Sequence, residues 1–466
     1  MDQRTKIVHT SDIHAGYNPT IKRDTQGLSV LNWDLVYFLV KLITYLIARG
    51  DILLIIDDGD FFDAKGVNAT IQRYIHKNII MPLRKAKIGI LFVTGNHDSY
   101  SDNEQKASDI DFFDHYLEQN CIVVNEWSAL NPELSSGNFL WLNGMQENKI
   151  NAWWQKFILP NLAEAKVGLC LFPYKDEAYI KDVYYRNNNP EVSNEDWSKI
   201  KRTLTTEKLQ LFTKERIISL MHNHLKGMRM LAELHFRLDG SKLNQYMSEE
   251  TYTNEFKFNK EMLTGFSKVI AGHIHLPQKM WGDENIFHIG SLTYTDFGEI
   301  NDEKRYGIYD ILTDKMEFKS VVFGKALPNE PALRKVGSIT ITVPENTPDP
   351  TAFVKNELEK RSVEISEALI KIYIVISPAD DLRLSLDVVM ATADKLTFFN
   401  RIEITHTESE ILAEGEKQEV IENINLTAMF DQYIQKYASN PQFDLIKRFA
   451  KEALDQALAM NINDEE

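Results

Sequence analysis

The chain has 466 residues, of which 43% are hydrophobic and 26% charged, ordinary proportions for a folded protein with room for more than one domain. A formal net charge of −16 argues against a protein that coats nucleic acid by bulk electrostatics, although local basic loops, bound cations or a partner subunit still allow contact with a phosphate backbone. Two cysteines, Cys121 and Cys170, are too few for a disulfide framework; they suit a reducing compartment and read as small apolar residues inside strands.

The opening Met1-Asp2-Gln3-Arg4 lacks a signal-peptide layout and runs directly into a strand pattern at Lys6–Thr10. The longest apolar stretch, Leu35 to Ala48, is too short to span a bilayer and contains Lys41; its apolar spacing fits a helix packed on a core. The expected location is therefore cytoplasmic (the host cytoplasm, if the chain is phage-encoded), without a membrane partner. Further strands are expected at Ile52–Asp57, Ile88–Thr94, Cys121–Asn125, Val167–Pro173, Ile217–His222, Lys268–Ala271 and Ile286–Ser291. Helices are expected near 31–48, 69–86, 148–165 and 204–215, which makes residues 1–328 an α/β layered domain. After a linker at 329–336, strand patterns at Ser338–Val343, Ala368–Ile376 and Thr397–Thr405 alternate with helices near 350–361 and 382–394, a smaller α/β unit over 337–406. An acid-rich linker at 407–424 leads to a helical pair over 425–466, broken near Asn440-Pro441, with apolar stripes suited to its own domain or to a partner helix. No phosphate-loop motif occurs, so nucleotide hydrolysis is not this chain's own work.

Five polar clusters fall at or just past the ends of expected strands. They are Asp12-Ile13-His14, Gly59-Asp60-Phe61-Phe62-Asp63, Gly95-Asn96-His97-Asp98, Met221-His222 and Gly272-His273-Ile274-His275. In open α/β sheets, sites form beyond the carboxyl ends of strands, so all five can converge. Asp12 and His14, like His273 and His275, are two apart and can face one cavity from extended backbone. Mixed Asp, His and Asn ligands suit Mn²⁺, Zn²⁺ or Fe better than Ca²⁺. A carboxylate such as Asp60 can bridge two ions roughly 3.5–4 Å apart. Asp98 is placed to orient the His97 imidazole through a ring nitrogen. Each cluster alone is a weak signal, and the ordered set of five carries the inference of a two-metal site.

The set, in this order, resembles the calcineurin-like metallophosphoesterases and, within them, the SbcD-type DNA double-strand-break repair nucleases. Gly290-Ser291-Leu292, Asp296-Phe297-Gly298-Glu299 and Lys304-Arg305-Tyr306-Gly307 are similar to the segment after the last histidine motif in those nucleases. Leu369–Ile376 and the region 425–458 look most like the phage recombination endonuclease subunit of that family. The resemblance implies a layered β-sandwich core flanked by helices, a smaller α/β capping domain and a C-terminal helical pair that docks a partner. It implies one metal on Asp12, His14, Asp60 and His275 and a second on Asp60, Asn96, His222 and His273. His97 is expected beside the substrate phosphate as the catalytic residue, with Asp98 supporting it. His224 competes with His222 for the ligand role. The metals are expected to be Mn²⁺, with Mg²⁺ or Fe²⁺ as alternatives.

The function so implied is a DNA exonuclease or endonuclease subunit working in repair and recombination with an SbcC-like coiled-coil ATPase, with a homodimer left open. Two other readings stand beside it: a phosphoesterase acting on a nucleotide, phosphoprotein or small phosphate ester, and a non-enzymatic scaffold with a vestigial metal site. Asp57 and Asp58 depart from the family pattern and are expected in a solvated or locally paired turn. Two segments, 145–205 and 228–262, read as insertions without a legible motif. The loop from Tyr17 to Lys22-Arg23 is a candidate for contact with a DNA backbone, or simply a solvated loop.

Overall fold

The computed structural model describes residues 4–16, 23, 25, 27–63, 67–98, 119–133, 139–141, 146–147, 150–186, 189, 192–243, 255–295, 297–323, 332–366, 368–406 and 451. The acidic stretch 407–424, the terminal helical pair apart from residue 451, and the loop Tyr17–Lys22 lie outside the described residues.

Nineteen strands follow one another along the described chain. β1 (Lys6–Thr10), β2 (Ile52–Asp57), β3 (Gly89–Val93) and β4 (Cys121–Val124) precede β5 (Ser128–Leu130), β6 (Phe139–Trp141), β7 (Gln146–Glu147) and β8 (Val167–Phe172). Next come β9 (Arg229–Leu234), β10 (Lys268–Ala271), β11 (Gln278–Lys279), β12 (Ile286–His288), β13 (Arg305–Asp310) and β14 (Lys315–Ser320). A short parallel pair, β15 (Val322–Phe323) and β16 (Ala332–Leu333), leads to β17 (Val336–Thr342), β18 (Leu369–Ile376) and β19 (Phe399–His406).

Two large mixed sheets dominate, in the orders β14-β13-β1-β2-β3-β4 and β11-β12-β10-β9-β8-β5-β6-β7. The central strands of each run parallel: β1 through β4 in the first, and β8, β9, β10 and β12 in the second. Their near-continuous apolar sequences reflect burial on both faces. Ile7, Leu54, Ile56, Leu91 and Val93 of the first sheet meet Leu169, Leu171 and Leu231 of the second, while alternate residues turn outward. On one outer face Val8, Ile55, Ile90 and Phe92 pack under the helix Val30–Arg49. On the other, Cys170, Phe172, Ala232 and Leu234 meet an aromatic layer and the helix Thr206–His224. The result is a helix-flanked β-sandwich with period-2 strand faces.

The helix Val30–Arg49 is apolar and long enough to cross a membrane by length alone, but it presents Leu35, Phe38, Leu39, Leu42, Ile43 and Leu46 to the core. It ends at Gly50 in the left-handed region (φ 75°), whose N–H returns to the Ile47 carbonyl. Both cysteines are buried.

One expected strand is a helix. Ile217–His222 belongs to the helix Thr206–His224, where Thr205 caps the start and Leu209, Ile217, Met221 and Leu225 recur at four- and eight-residue spacing on a buried face. The strand missing from that region is β9, twelve residues further on, inside the segment 228–262 that reads from sequence as an insertion. β13 and β14 also went unanticipated, since Arg305, Asp310, Lys315 and Glu317 break their apolar runs.

Beyond β16, the parallel sheet β17-β18-β19 has its own apolar core. Its crossovers are the helices Pro350–Lys360 and Leu386–Leu396, which pack Val354, Leu358, Val389 and Ala393 on Ile339, Ile341, Ile370 and Ile372. Arg334, between β16 and β17, pairs with Asp34 at 2.7 Å and stacks over Phe398.

Candidate metal centre

The carboxyl ends of β1, β2 and β3 in one sheet and β9 and β10 in the other open on a common edge of the sandwich. Backbone bonds hold the first-sheet loops together. The amide of Asp12 donates to the Gly59 carbonyl (2.9 Å), that of His14 to Asp60 (2.9 Å) and that of Asp58 to Thr10 (2.7 Å). Asp12, His14, Asp60 and His273 all adopt positive φ, between 50° and 74°. Such conformations cost a non-glycine residue on the order of 1 kcal/mol or more, and their clustering at one point marks a functional site. Gly59 (φ 102°) and Gly95 allow the close packing here, because a Cβ on either would overlap His235 or Asp60 respectively.

Two groups of inward-facing donors result. In the first, His14 Nε2 and His275 Nε2 are 3.2 Å apart, and Asp12 Oδ1 is 3.6 Å from His275 Nε2. The outer nitrogens sit beside acceptors: His275 Nδ1 hydrogen-bonds Glu299 (2.7 Å), and His14 Nδ1 lies 3.2 Å from the Asp63 carboxylate without hydrogen-bond alignment. Protons on those outer nitrogens leave two lone pairs pointing at each other beside a buried carboxylate oxygen with no hydrogen-bond donor. A cation between them resolves this conflict, so the residues fit a metal. In the second group, His235 Nε2 lies 3.2 Å from Asp60 Oδ2 and 3.1 Å from Asn96 Oδ1, while His273 Nδ1 lies 3.0 Å from the same Asn96 oxygen. His235 Nδ1 donates to the Asp58 carbonyl (2.7 Å), again turning a lone pair inward. Asp60 has ligand atoms close to both His14 and His235 and so stands between the two groups.

The carboxylates of the centre demand positive charge, and in the metal-free chain a proton on His235 supplies it. Burial works against a charged His235, yet the Asp60 carboxylate outweighs it and drives the imidazole up to about 10. Burial would raise Asp60, but His235, His14 and His97 hold its carboxyl well below the usual range. Behind His275, Glu299 is fully buried and bonds Lys304 at 2.7 Å; despite burial, His275 and Lys304 hold its carboxyl well below the ordinary value.

Asp12, His14, Asp60, Asn96, His97, His273 and His275 all sit at this edge. Two expected assignments need correction. His222 lies on the helix Thr206–His224, and His224 is that helix's last residue; the histidine beside Asp60 and Asn96 is His235, directly after β9. Asp98 does not touch the His97 ring. Its carboxylate accepts the amides of Gly95 (3.0 Å), Phe62 (3.1 Å) and Phe61 (3.3 Å), which locks the turn carrying Asp60. Burial, and after it the Asp60 charge, pushes Asp98 up to about 6. The His97 ring is held instead by the Asp63 carbonyl, 2.5 Å from Nδ1, and faces solvent.

Asp57 and Asp58 are buried rather than solvated. Asp57 accepts the Thr10 hydroxyl (2.9 Å). Asp58 lies with His9 and Glu233 in a fully buried group, where His9 Nδ1 is 3.2 Å from Glu233 and 3.7 Å from Asp58. This contact ties together the strand ends that carry Asp12, Asp60 and His235. The supporting residues Asp63, Glu255 and Glu299 also escaped the sequence-based assignment. Glu299 had a signal, since it lies in the Asp296–Glu299 segment, whereas Glu255 had none.

Over residues 5–277 the sequence matches the calcineurin-like phosphoesterase family. Among solved structures it is similar to a dimetal phosphatase from Danio rerio, at 11% identity over 68% of this chain and 96% of that one, with a TM-score of 0.34. The comparison with curated proteins finds no match.

Proposed function

The chain belongs to the calcineurin-like phosphoesterases, and from that premise we propose that it is a nuclease subunit hydrolysing phosphodiester bonds in DNA alongside an SbcC-like ATPase. Membership makes it a metal-dependent phosphoesterase. The observation that supports the narrower reading is the Gly290–Gly307 segment, similar in sequence to that of SbcD-type nucleases. Here that segment is part of the centre, with Glu299 on His275 and Lys304 on Glu299. Asp12, His14, Asp60 and His275 hold the first cation, and Asp60, Asn96, His235 and His273 the second. The cations are Mn²⁺, in keeping with a mixed nitrogen and oxygen donor set.

When bound, such a pair lowers the pKa of an attacking water and neutralises non-bridging phosphoryl oxygens. The chain's own residues supply the rest. Asp60 stands between the two positions, and Asp98 fixes the Asp60 turn through the Phe61 and Phe62 amides. His97 is anchored through Nδ1 at the exposed rim of the centre, where its protonated form donates to the leaving oxygen.

The net charge of −16 favours a second reading, a small phosphate ester as substrate. One assay separates the two. The purified chain with Mn²⁺ is given end-labelled linear duplex DNA or bis(p-nitrophenyl) phosphate, with and without the candidate ATPase. DNA cleavage that the ATPase accelerates is the expected result. Turnover of the small ester with no DNA cleavage under either condition would overturn the nuclease assignment.

A further inference from the structure

The four histidines of the centre each have the outer ring nitrogen against an acceptor, and the four acceptors differ in origin. Asp63 and the Asp58 carbonyl flank Asp60 itself, and Glu299 belongs to the turn following β12. The fourth is Glu255, whose Oε2 lies 3.1 Å from His273 Nε2. It comes from the segment after β9, outside every motif of the centre.

Glu255 is held in place from its C-terminal side. Phe256 and Phe258 are 2% and 0% exposed and pack with Phe236 and Trp127. The Phe258 amide donates to the Arg237 carbonyl (3.1 Å), and its carbonyl accepts the Asp239 amide (2.8 Å). Arg237 is two residues past His235. One backbone tie therefore positions both His235, facing Asp60 and Asn96, and Glu255, facing the outer edge of His273. Tyr174 covers the same imidazole, its ring 5.8 Å from that of His273 and stacked on Phe236.

We infer that Glu255 is a positioning residue for the second cation, acting through His273 and not on the first. This rests on the assignment of His273 as a ligand of the second position. The carboxylate accepts a hydrogen bond from the Nε2–H of His273, which leaves the Nδ1 lone pair directed with Asn96 Oδ1 at that position. Acceptors of this kind fix the tautomer, orient the ring and raise its basicity, and losing one weakens metal affinity roughly 10–100-fold. The segment after β9 then sets the affinity of one cation position independently of the other.

The test is a titration of the metal-free full chain with Mn²⁺, read by calorimetry and by the paramagnetic resonance spectrum that distinguishes a single ion from a coupled pair. In Glu255→Ala the tighter or looser of two binding events should weaken roughly 10–100-fold while the other stays at its wild-type value, and the coupled spectrum should need more Mn²⁺ to develop. Glu255→Gln, which keeps an acceptor oxygen, should recover part of the loss. The melting temperature of the metal-free protein should not change in either variant. Two unaltered affinities in Glu255→Ala, or equal loss of both with a lowered melting temperature, would overturn the inference. His273→Ala separates this from the underlying assignment. If His273→Ala removes the second event and Glu255→Ala does not, the inference alone fails. If His273→Ala leaves two wild-type events, the ligand assignment fails and the inference with it.

Discussion

The two sheets contribute to the centre by different physical means. On the first-sheet side, Asp12, His14, Asp60 and Asn96 follow three adjacent parallel strands, and main-chain bonds between the loops, with positive φ at three of these residues, set their directions. On the second-sheet side, His273 and His275 depend on side chains from elsewhere, Glu255 on His273 and Glu299 with Lys304 on His275, while His235 rests on the Asp58 carbonyl of the first sheet. Backbone geometry is dictated by local sequence and survives distant change. Side-chain support depends on packing of remote segments and can be adjusted one residue at a time. If Glu255 acts as inferred, the second half is where cation affinity is adjusted.

Removing a ligand from each half probes this directly. Asp60→Ala should bind neither cation tightly and lose turnover to background, because both groups include that carboxylate. His235→Ala should keep one cation and lose the other, while His222→Ala should keep both. Metal analysis after gel filtration reads all three. A one-ion loss in His222→Ala, with His235→Ala unaffected, would restore the helix residue as ligand and break the comparison. Next in size is His97→Ala, which should retain both cations with turnover reduced roughly 10²–10⁴-fold, the usual worth of a general acid. Near-wild-type cleavage with Mn²⁺ would remove His97 from the chemistry.

What could be read from sequence follows the apolar strand pattern and cuts across this division. Asp12, His14, Asp60, Asn96, His97, His273 and His275 were legible because glycine and polar residues directly follow apolar strands. Parallel strands buried on both faces announce themselves as unbroken apolar runs. His235 was not legible for the opposite reason. Its strand, Arg229–Leu234, carries Glu233 on the inter-sheet face to meet His9 and Asp58, so the apolar run that should flag it is interrupted. The run Ile217-Ile218-Ser219-Leu220-Met221 looked better, yet period alone cannot distinguish a short apolar strand from the buried part of a helix. Only the cap at Thr205 and the Leu209, Ile217, Met221, Leu225 stripe decide it. Asp98 was misassigned because adjacency to His97 suggested a ring contact, while its carboxylate is instead consumed by three amides across the turn.

Glu299→Gln tests the tuned half at a residue that also belongs to the core. Loss of the carboxylate should weaken the first cation roughly 10–100-fold and leave the second unchanged. It also leaves Lys304 buried without its counter-charge, since both side chains are fully enclosed at 2.7 Å. Breaking such a pair typically destabilises a fold by about 3–5 kcal/mol, so the melting temperature should fall as well. That double effect is the signature separating Glu299 from a residue that acts on the metal alone. An unchanged melting temperature would show that Lys304 finds another partner.

His288 gives the smallest effect on the centre, and it is purely pH-dependent. Its ring is fully buried, with Nδ1 donating to the Gly272 carbonyl (3.0 Å) and Nε2 accepting the Ser241 hydroxyl (2.8 Å), so it supports the His273 turn in neutral form. Burial lowers its pKa to about 3, against 6.5 for the free side chain. Between those values the unfolded chain binds a proton that the folded chain refuses, so this contribution to stability is complete above pH 6.5 and is lost as pH falls towards 3. A His288→Gln variant has no such proton to take up. With cations removed by chelator, the wild-type melting temperature should therefore drop more steeply from pH 7 to pH 4.5 than that of the variant, and the two curves should run parallel above pH 7. Parallel curves throughout would mean that His288 takes its proton within the fold, and that the turn carrying His273 tolerates a charge behind it.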